Sequence, residues 1–429
     1  MTLTTQPSAN PDAGSDRDRY AKSNAMFDRA VRVIPGGIYG HLGPSEGCYI
    51  PRSAYPLFSD HAQGSRFWDL DGNEFIDYMC GYGPNVLGYR DPDVDAAAAA
   101  QAQREDVVSI PGAAMVDFAE LITDTVASAD WTFFAKNGGD VTTLAIMTAR
   151  AATGRRRIVF FEGYYHGVDP WTQKLDYPGV LPQDVAGNIE VAWNDIDALR
   201  TVFSNHRGEI AALIAQPYKH GNFLDNELPA EGYWAQVRAL CDEHGIVLIC
   251  DDVRAGWRLD LAGSDHHYGF RADLICFCKA LANGYNVSAL CGRDSLREAV
   301  SSITYTGSYW MSAVPFAAGI ATITKLKELD APALFRRLGS SLTDGLVTVA
   351  ANNGFRLVTS GEPALFYLRV ADDDTLMLHQ EWIAECVRRG VFFTSHHNHF
   401  INAALTDEDI ARTLEIADEA FSVVRHRHG

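Results

Sequence analysis

The segment CDEHGIVLICDDVRAGWR (241–258) contains an apolar run, Ile246 to Cys250, that ends directly before the acid Asp251. A second apolar run, Leu274 to Cys278, ends directly before Lys279. Runs that are apolar throughout, without alternation, are typical of strands covered on both faces of a parallel sheet. Because ligands of such sheets bind outside the carboxyl ends of the strands, we expect Asp251 and Lys279 to face one site.

Similar short apolar runs, separated by helical stretches, continue on both sides of this segment, from about residue 115 to 325. The pattern predicts an α/β fold in which a mostly parallel, seven-stranded sheet is sandwiched by helices. After Lys325 the pattern changes to two helical stretches with short strands between them, which predicts a smaller α+β C-terminal domain. The runs expected to form the large sheet are Trp131 to Ala135, Arg157 to Phe161, Ile189 to Ala192, Ile210 to Ala215, Ile246 to Cys250, Leu274 to Cys278 and Ser288 to Cys291.

The chain is predicted to divide into four parts. Residues 1–19 are rich in Pro, Ser, Asp and Thr and are expected to form a disordered tail. Residues 20–75 contain a helix and a hairpin around Asp71-Gly72, and this N-terminal segment is expected to pack with the small domain. Residues 76–325 form the large, ligand-binding domain, and residues 326–429 form the small C-terminal domain.

The composition of the chain excludes several classes of protein. Its 429 residues carry 36 Lys and Arg against 55 Asp and Glu, and the net charge of −19 argues against a nucleic-acid partner. No apolar run approaches the about 20 residues of a membrane helix, and no signal peptide is evident, so we expect a cytoplasmic protein without a membrane partner. The eight cysteines contain no CxxC pair, and the histidines at 396, 397 and 399 have no HExxH, which predicts free thiols and no metal.

An acid and a lysine at such strand ends suit one cofactor, pyridoxal 5'-phosphate (PLP), held as a Schiff base on the lysine. The carboxylate keeps the pyridine nitrogen protonated, and burial of the lysine disfavours its ammonium form, so the lysine can also move protons. Taken singly, each residue has a structural explanation: Lys279 as a strand-end lysine and Asp251 as a helix cap.

Two further segments fit this cofactor. In Asn137-Gly138-Gly139-Asp140, glycines begin a helix, and their backbone N–H groups can hold a phosphate. In Gly163-Tyr-Tyr-His-Gly167, Tyr165 is the candidate ring to stack on the pyridine. A simple turn and a tyrosine at the sheet edge would look the same, and Asp140 is equally well explained as a helix-end charge. The chain has no GxGxxG, GxxxxGK[ST] or GxSxG motif for a nucleotide-binding or hydrolase alternative.

With these residues placed, the chain resembles the class III aminotransferases of PLP fold type I, in the branch that contains glutamate-1-semialdehyde aminomutase. It is especially similar to the fumonisin-degrading members, which implies deamination of a long polyhydroxylated alkyl amine with pyruvate as the amino acceptor. The segments that carry the resemblance are YMCGYGPNVLGY (78–89), FFAKNGGDVTT (133–143), GYYHG (163–167), CDEHGIVLICDDVRAGWR (241–258), CKALANGYNVSALCG (278–292) and TGSYWMSAVPFAAG (306–319).

The resemblance implies a role for each matching residue. It makes Lys279 the Schiff-base lysine and Asp251 the partner of the pyridinium nitrogen. It also implies a homodimer, because Ser308 stands where the family uses a hydroxyl group to reach the phosphate bound by the neighbouring subunit. The other residues expected to contact the cofactor are Asn137, Gly138, Gly139, Asp140, Tyr165, His166, Gly167 and Val253.

One departure from the family bears on the substrate. The aminomutase has a carboxylate-binding arginine after Pro-Gly-Gly, whereas this chain reads Ile38-Tyr39-Gly40-His41. Without that cation we predict an aminotransferase acting on a primary amine, or its ketone or aldehyde, that lacks a nearby carboxylate. A keto acid or amino acid is the co-substrate, and Arg254 or Arg258 is its candidate carboxylate partner. The candidate pocket residues, each also explained by packing, are Tyr39, His41, Tyr82, Trp171, Trp310, Arg254, Arg258 and His397.

Three alternatives remain open on the sequence. An aminomutase or epimerase would use the same cofactor residues without a net amino acceptor. A noncatalytic protein of this fold is disfavoured by the presence of Lys279 and Asp251. A nicotinamide-dependent oxidoreductase is disfavoured by the missing glycine fingerprint.

Overall fold

The computed structural model describes residues 19–38, 52–371 and 373–428. The predicted tail, apart from its last residue, therefore lies outside the described residues. Strands are numbered in chain order as β1 (Ser59–Gln63), β2 (Arg66–Asp69), β3 (Glu74–Asp77), β4 (Trp131–Ala135), β5 (Arg157–Phe161), β6 (Asn188–Val191), β7 (Ile210–Ala215), β8 (Val247–Asp251), β9 (Leu274–Phe277), β10 (Ser288–Gly292), β11 (Leu357–Glu362), β12 (Leu365–Val370), β13 (Val391–Phe392) and β14 (His399–Phe400).

The α-helices within the described ranges are numbered in the same way. They are α1 (Ala21–Ala30), α2 (Pro92–Ala102), α3 (Ala113–Thr125), α4 (Gly138–Thr153), α5 (Pro182–Val185), α6 (Ile196–Asn205), α7 (Tyr233–His244), α8 (Ser264–His267), α9 (Arg297–Ser301), α10 (Ala313–Glu328), α11 (Ala331–Asn352), α12 (Met377–Arg388) and α13 (Asp407–His428). None of these helices is long and apolar enough to cross a membrane.

The large sheet has seven strands in the order β4-β10-β9-β8-β7-β5-β6. Strands β5 to β9 pair in parallel, and β10 runs antiparallel to both β9 and β4. Every residue of β7, β8, β9 and β10 is buried, which explains why these strands read as unbroken apolar runs. The predicted α/β fold with a mostly parallel, seven-stranded sheet is confirmed, and strand ends differ from the prediction by one residue at most.

The pairing of β8 with β9 positions the site. Asp251, the last residue of β8, lies opposite Cys276 of β9, and Lys279 follows β9 after a single residue, Cys278. Because the two strands are parallel, Asp251 and Lys279 emerge at the same edge of the sheet.

Two smaller sheets contain elements that the sequence did not predict. One has the order β1-β2-β3-β13, in which β3 near the N-terminus pairs in parallel with β13, Val391 opposite Ile76. The other has the order β11-β12-β14. The predicted hairpin around Asp71-Gly72 is confirmed as β2 and β3. Three strands were missed: β1 is mostly exposed, β11 is mostly half-exposed, and β14 has only two residues.

The seven cysteines among the described residues are free thiols. Six are buried, and Cys278 is half-buried beside Lys279. The eighth, Cys48, lies outside the described residues. Within the described ranges, no group of three or more His, Cys, Asp or Glu side chains could hold a metal ion.

Candidate active site

A cavity of about 380 Å³ opens at the carboxyl edge of the large sheet. Its walls come from the starts of the segments that follow β4, β5, β7, β8 and β9, so side chains distant in sequence meet there. The lining residues are Asn137, Gly138, Gly139, Asp140, Thr142, Tyr165, His166, Gly167, Val168, Asp169, Gln216, Asp251, Val253, Arg254, Cys278 and Lys279.

Lys279 is a half-buried residue in the wall of this cavity. Its Nζ donates a hydrogen bond of 2.9 Å to the backbone carbonyl of Tyr82, and its backbone has a positive φ of 41°. Such a conformation is uncommon for a residue with a side chain and is concentrated at functional sites. Enclosure by protein, followed by the charge of Arg254, lowers the pKa of Lys279 from its ordinary value of 10.5 to about 8. The amine is therefore neutral in a much larger fraction of molecules than an exposed lysine.

The carboxylate of Asp251 is buried and fixed by two neighbours. Its Oδ2 lies 2.7 Å from Nδ1 of His166, and its Oδ1 accepts a 3.2 Å hydrogen bond from the backbone N–H of Val253. Since an ionised carboxylate can only accept, the Nδ1 atom of His166 is the donor in this pair. The Nε2 atom of His166 is buried without a hydrogen-bond partner among the described residues.

Two glycines of the cavity wall, Gly138 at the start of α4 and Gly167 after β5, leave no room for a side chain. A Cβ atom on Gly138 would lie 2.9 Å from Cγ1 of Val253, and one on Gly167 would lie 2.8 Å from Cα of Gly139. Gly167 also has a φ of 125°, which strongly favours glycine. The N–H groups of Gly138 and Gly139 have no acceptor among the described residues, so they can receive an anion at the positive end of the helix.

Asp140 and Thr142, near the start of α4, form hydrogen bonds that hold the cradle and the neighbouring loop in place. The Oδ2 atom of Asp140 accepts hydrogen bonds from the backbone N–H groups of Lys136, at 3.1 Å, and Asn137, at 2.8 Å. Asp140 therefore takes the helix-end role that the sequence left as its alternative, although it also lines the cavity. Thr142, which the sequence analysis missed, donates a 2.6 Å hydrogen bond to the carbonyl of His166 and joins the cradle to the next loop.

Tyr165 lines the cavity and is 53% exposed, so one side of the cavity is open. Its backbone carbonyl accepts a 3.1 Å hydrogen bond from Nε2 of Gln216. The Oε1 atom of Gln216 is buried without a partner among the described residues. Gln216 was not predicted as a site residue, but its position directly after the apolar run 210–215 could have identified it.

The structure separates the two candidate arginines. Arg254 lines the cavity, whereas Arg258 does not. The fully buried guanidinium of Arg258 donates to the backbone carbonyl of Gly83 and lies 5.0 Å from the ring centre of Phe400. Arg258 is therefore a packing residue. It lies outside the cavity, contrary to the expectation that it lines the pocket.

The aromatic pocket candidates are dispersed. The ring of Tyr82 packs edge-on against His397, with centres 5.2 Å apart, but neither side chain belongs to the cavity lining. Trp171 donates a 2.8 Å hydrogen bond from Nε1 to Oγ1 of Thr143 on α4, and Trp310 packs against Phe133. The expectation that Trp171 and Trp310 line this cavity is therefore wrong for the single subunit, since their rings are occupied by packing contacts.

The remaining candidates lie elsewhere. Ser308 is exposed and lines a separate depression of about 490 Å³ with Lys136, Asn137 and Trp310. Tyr39 and His41 lie outside the described residues.

The cavity contains the groups that PLP requires. Its aldehyde needs an enclosed amine, its pyridine nitrogen needs a buried carboxylate, and its phosphate needs donors at a helix start. Lys279, Asp251 and the unpaired N–H groups of Gly138 and Gly139 meet these requirements in one cavity.

Comparison with known proteins agrees with this chemistry. The family model Aminotransferase class-III matches residues 49–421. The aminopentol aminotransferase of Sphingopyxis macrogoltabida is 40% identical over 399 residues, which cover 93% of each chain. A glutamate-1-semialdehyde 2,1-aminomutase of Desulforamulus reducens is 31% identical, covering 94% of this chain and 98% of the relative. The structure of the PLP internal aldimine form of the Sphingopyxis sp. MTA144 FumI protein superposes with a TM-score of 0.91 at 39% identity, covering 95% of this chain and 97% of that one.

This chain belongs to the class III aminotransferase family. It is an enzyme with PLP fold type I that uses PLP to transfer amino groups between small molecules. The predicted family, fold type, cofactor and enzyme class are confirmed.

Proposed function

We propose that the enzyme moves an amino group between a primary amine, or its ketone or aldehyde, that lacks a nearby carboxylate and a keto acid or amino acid. The observation that carries the proposal is the meeting of the amine of Lys279 and the carboxylate of Asp251 in one cavity. Support for the amine comes from the loop Ile38 to His41, which has no arginine for a substrate carboxylate. The name of the Sphingopyxis macrogoltabida relative, an aminopentol aminotransferase, is consistent with an amine substrate.

Lys279 is proposed to hold the cofactor and to move the proton between the substrate carbon and the cofactor. Bound PLP supplies an electron sink for the negative charge that develops on the substrate Cα. Because the pKa of Lys279 lies at about 8, its Nζ can act as a nucleophile and as a base near neutral pH. The hydrogen bond to the Tyr82 carbonyl keeps the amine at the cavity wall.

Asp251 is proposed to hold a proton on the pyridine nitrogen. The hydrogen bonds from His166 and from the N–H of Val253 fix the orientation of its carboxylate. The N–H groups of Gly138 and Gly139 would bind the phosphate. The remaining contacts to the cofactor are proposed for Asn137, Asp140, Tyr165, His166, Gly167 and Val253.

A cytoplasmic homodimer is part of the proposal, with Ser308 reaching the phosphate in the neighbouring subunit. Support comes from the position of Ser308, which is exposed and shares a depression with Asn137, the residue before the glycine cradle. The open side of the cavity at Tyr165 gives a second subunit a surface to cover.

The test is a single half-reaction. The purified PLP form is mixed with alanine, glutamate or a long-chain hydroxylated primary amine, without any acceptor, and the absorbance of the lysine-bound cofactor is followed. We expect that absorbance to be lost with the amine and with one amino acid, each releasing one equivalent of the matching ketone or keto acid. Lys279→Ala should show neither change.

An aminomutase is the second candidate, because glutamate-1-semialdehyde 2,1-aminomutases are 31% identical to this chain. It would isomerise one substrate with no acceptor and no net keto product. Retention of the lysine-bound absorbance with every donor, together with such an isomerisation, would replace the aminotransferase proposal.

A further inference from the structure

Arg254 is a buried cation without a carboxylate partner. It is 7% exposed and lines the same cavity as Lys279 and Asp251. Only its Nη1 atom has hydrogen-bond partners among the described residues, namely the carbonyl oxygen of His220 at 2.8 Å and Nδ1 of the same residue at 3.4 Å. No carboxylate of the described residues lies within 4.0 Å of its guanidinium nitrogens.

The surroundings of Arg254 do not supply the missing negative charge at close range. Burial and the charge of Arg254 itself hold the pKa of His220 and of His397 well below the ordinary value, so both rings are neutral. Asp251 attracts Arg254, but its two oxygens are already engaged by His166 and by the Val253 N–H.

A buried guanidinium that has no paired carboxylate is suited to bind an anion. Burial of a cation without its counter-ion is unfavourable, and an entering carboxylate removes that cost. The planar fork of arginine also matches the two oxygens of a carboxylate. Arg258, four residues further along the chain, cannot serve this purpose because its guanidinium is sealed against Gly83 and Phe400.

We propose that Arg254 binds the carboxylate of the acidic co-substrate, which is the keto acid in one half-reaction and the corresponding amino acid in the other. The inference rests on the proposed aminotransferase function and assigns the carboxylate subsite to one residue. When the amine, which has no carboxylate, occupies the cavity, the guanidinium keeps its hydrogen bond to the His220 carbonyl. One cavity thereby accepts in turn a substrate with a carboxylate and a substrate without one.

The test uses Arg254→Gln and Arg254→Lys in the PLP-loaded enzyme. The control is Arg157→Gln, which removes a cation that pairs with Glu209 at 2.6 Å at the amino end of β5. Binding of propionate, an unreactive carboxylate, is measured by titration calorimetry, and KM and kcat are measured for pyruvate and for a primary amine without a carboxylate.

For Arg254→Gln we expect the Kd of propionate and the KM of pyruvate to rise roughly 10- to 100-fold, since a charged hydrogen bond contributes about 1.5–3 kcal/mol. The rise in KM for pyruvate should exceed any change in KM for the amine without a carboxylate by at least tenfold. Arg254→Lys should recover part of the affinity, and the control should match the wild type.

Equal losses for pyruvate and the amine, or unchanged propionate binding in both variants, would overturn the inference. If the wild-type enzyme shows no half-reaction with any amine, the proposed function fails, yet the propionate titration still decides the role of Arg254. Circular dichroism and a thermal melt of both variants exclude a folding defect as the cause.

Discussion

Both edges of the large sheet carry basic residues, but the surroundings of these residues differ between the two edges. At the amino edge, a depression of about 720 Å³ is lined by four arginines, Arg150 and Arg155 to Arg157. Arg155 donates from Nη1 to three backbone carbonyls at 2.9–3.1 Å, and Arg157 pairs with Glu209. At the carboxyl edge, the cavity is only about 380 Å³, but Lys279 has one carbonyl partner there and Arg254 has no carboxylate.

The chemically important difference between the two edges is how well their basic side chains are paired or solvated, rather than the charge of those side chains or the size of the cavity. Arg155 and Arg157 tie chain segments together and are only half-buried, so solvent can satisfy their remaining N–H groups. Lys279 and Arg254 are more enclosed, and no carboxylate of the described residues lies within 4.0 Å of either cation, so an anionic ligand can lower their energies. The smaller cavity is therefore the candidate active site.

The largest expected effect comes from Lys279→Ala at the carboxyl edge. If Lys279 is the nucleophile and proton carrier, as proposed, its loss should lower kcat by roughly 10³-fold or more, within the range of acid–base and covalent catalysis. Steady-state assays with the best amine and pyruvate measure it. Arg157→Ala at the amino edge serves as the control and should stay within about twofold of wild type. Comparable losses in the two variants would remove the distinction between the edges.

Asp251→Asn should have the next largest effect. In the proposed role of Asp251, the amide would no longer stabilise a proton on the cofactor nitrogen, and we expect kcat to fall roughly 10²-fold while bound PLP is retained, the lower end of a general acid–base contribution. The assay is paired with a measurement of cofactor content by absorbance. Full activity of Asp251→Asn would place the pyridine nitrogen away from this carboxylate.

The lowered pKa of Lys279 predicts a pH-dependent stability of the cofactor-free protein. Below about pH 8 the lysine is protonated in both the folded and the unfolded chain, and its burial is fully destabilising. As the pH rises from about 8 to 10.5, the folded state is already neutral and the penalty disappears. Lys279→Met should therefore raise Tm at pH 7, with a gain that shrinks by pH 10. A gain that is equal at both pH values would contradict the lowered pKa.

Asp252 is expected to show a smaller stability effect with the opposite pH trend. Burial raises its pKa from 3.8 to about 7, so its ionisation destabilises the folded state progressively between these values and fully above about pH 7. Asp252→Asn keeps an acceptor for the Ser264 N–H, which lies 3.0 Å from Oδ2. We expect Tm to rise by a few degrees at pH 8 and to be unchanged at pH 4, measured by thermal melts. A lower Tm at pH 8 would show that the carboxylate is needed in its charged form.

Local sequence patterns were sufficient for the large sheet and for the centre of the site. The strands are buried on both faces, so their apolar runs stand out without any tertiary information, and the residue after each run marks the carboxyl edge. Lys279 and Asp251 directly follow such runs, and the Gly138-Gly139 pair lies two residues beyond another, whereas the roles predicted for them rest on their combination and on the family resemblance. Gln216 obeys the same rule and was missed because a neutral amide has no single expected chemistry.

Other features depend on contacts between distant segments. The sequence could not choose between Arg254 and Arg258, because both follow β8 in one loop and differ only in what the fold brings against them. The pairing of β3 with β13 joins segments more than 300 residues apart, with Val391 opposite Ile76. Trp171 and Trp310 resembled pocket residues in sequence, yet their rings are occupied by packing.

The sequence by itself determined the class of fold and the cofactor, and it predicted the lysine and the carboxylate proposed to serve that cofactor, because strands buried on both faces and the residues at their ends are local features of the chain. Only the tertiary structure decided which arginine faces the cavity and which aromatic rings do not. Those outcomes depend on how distant segments enclose each side chain, and enclosure determines whether a charge is satisfied within the protein or left for a ligand.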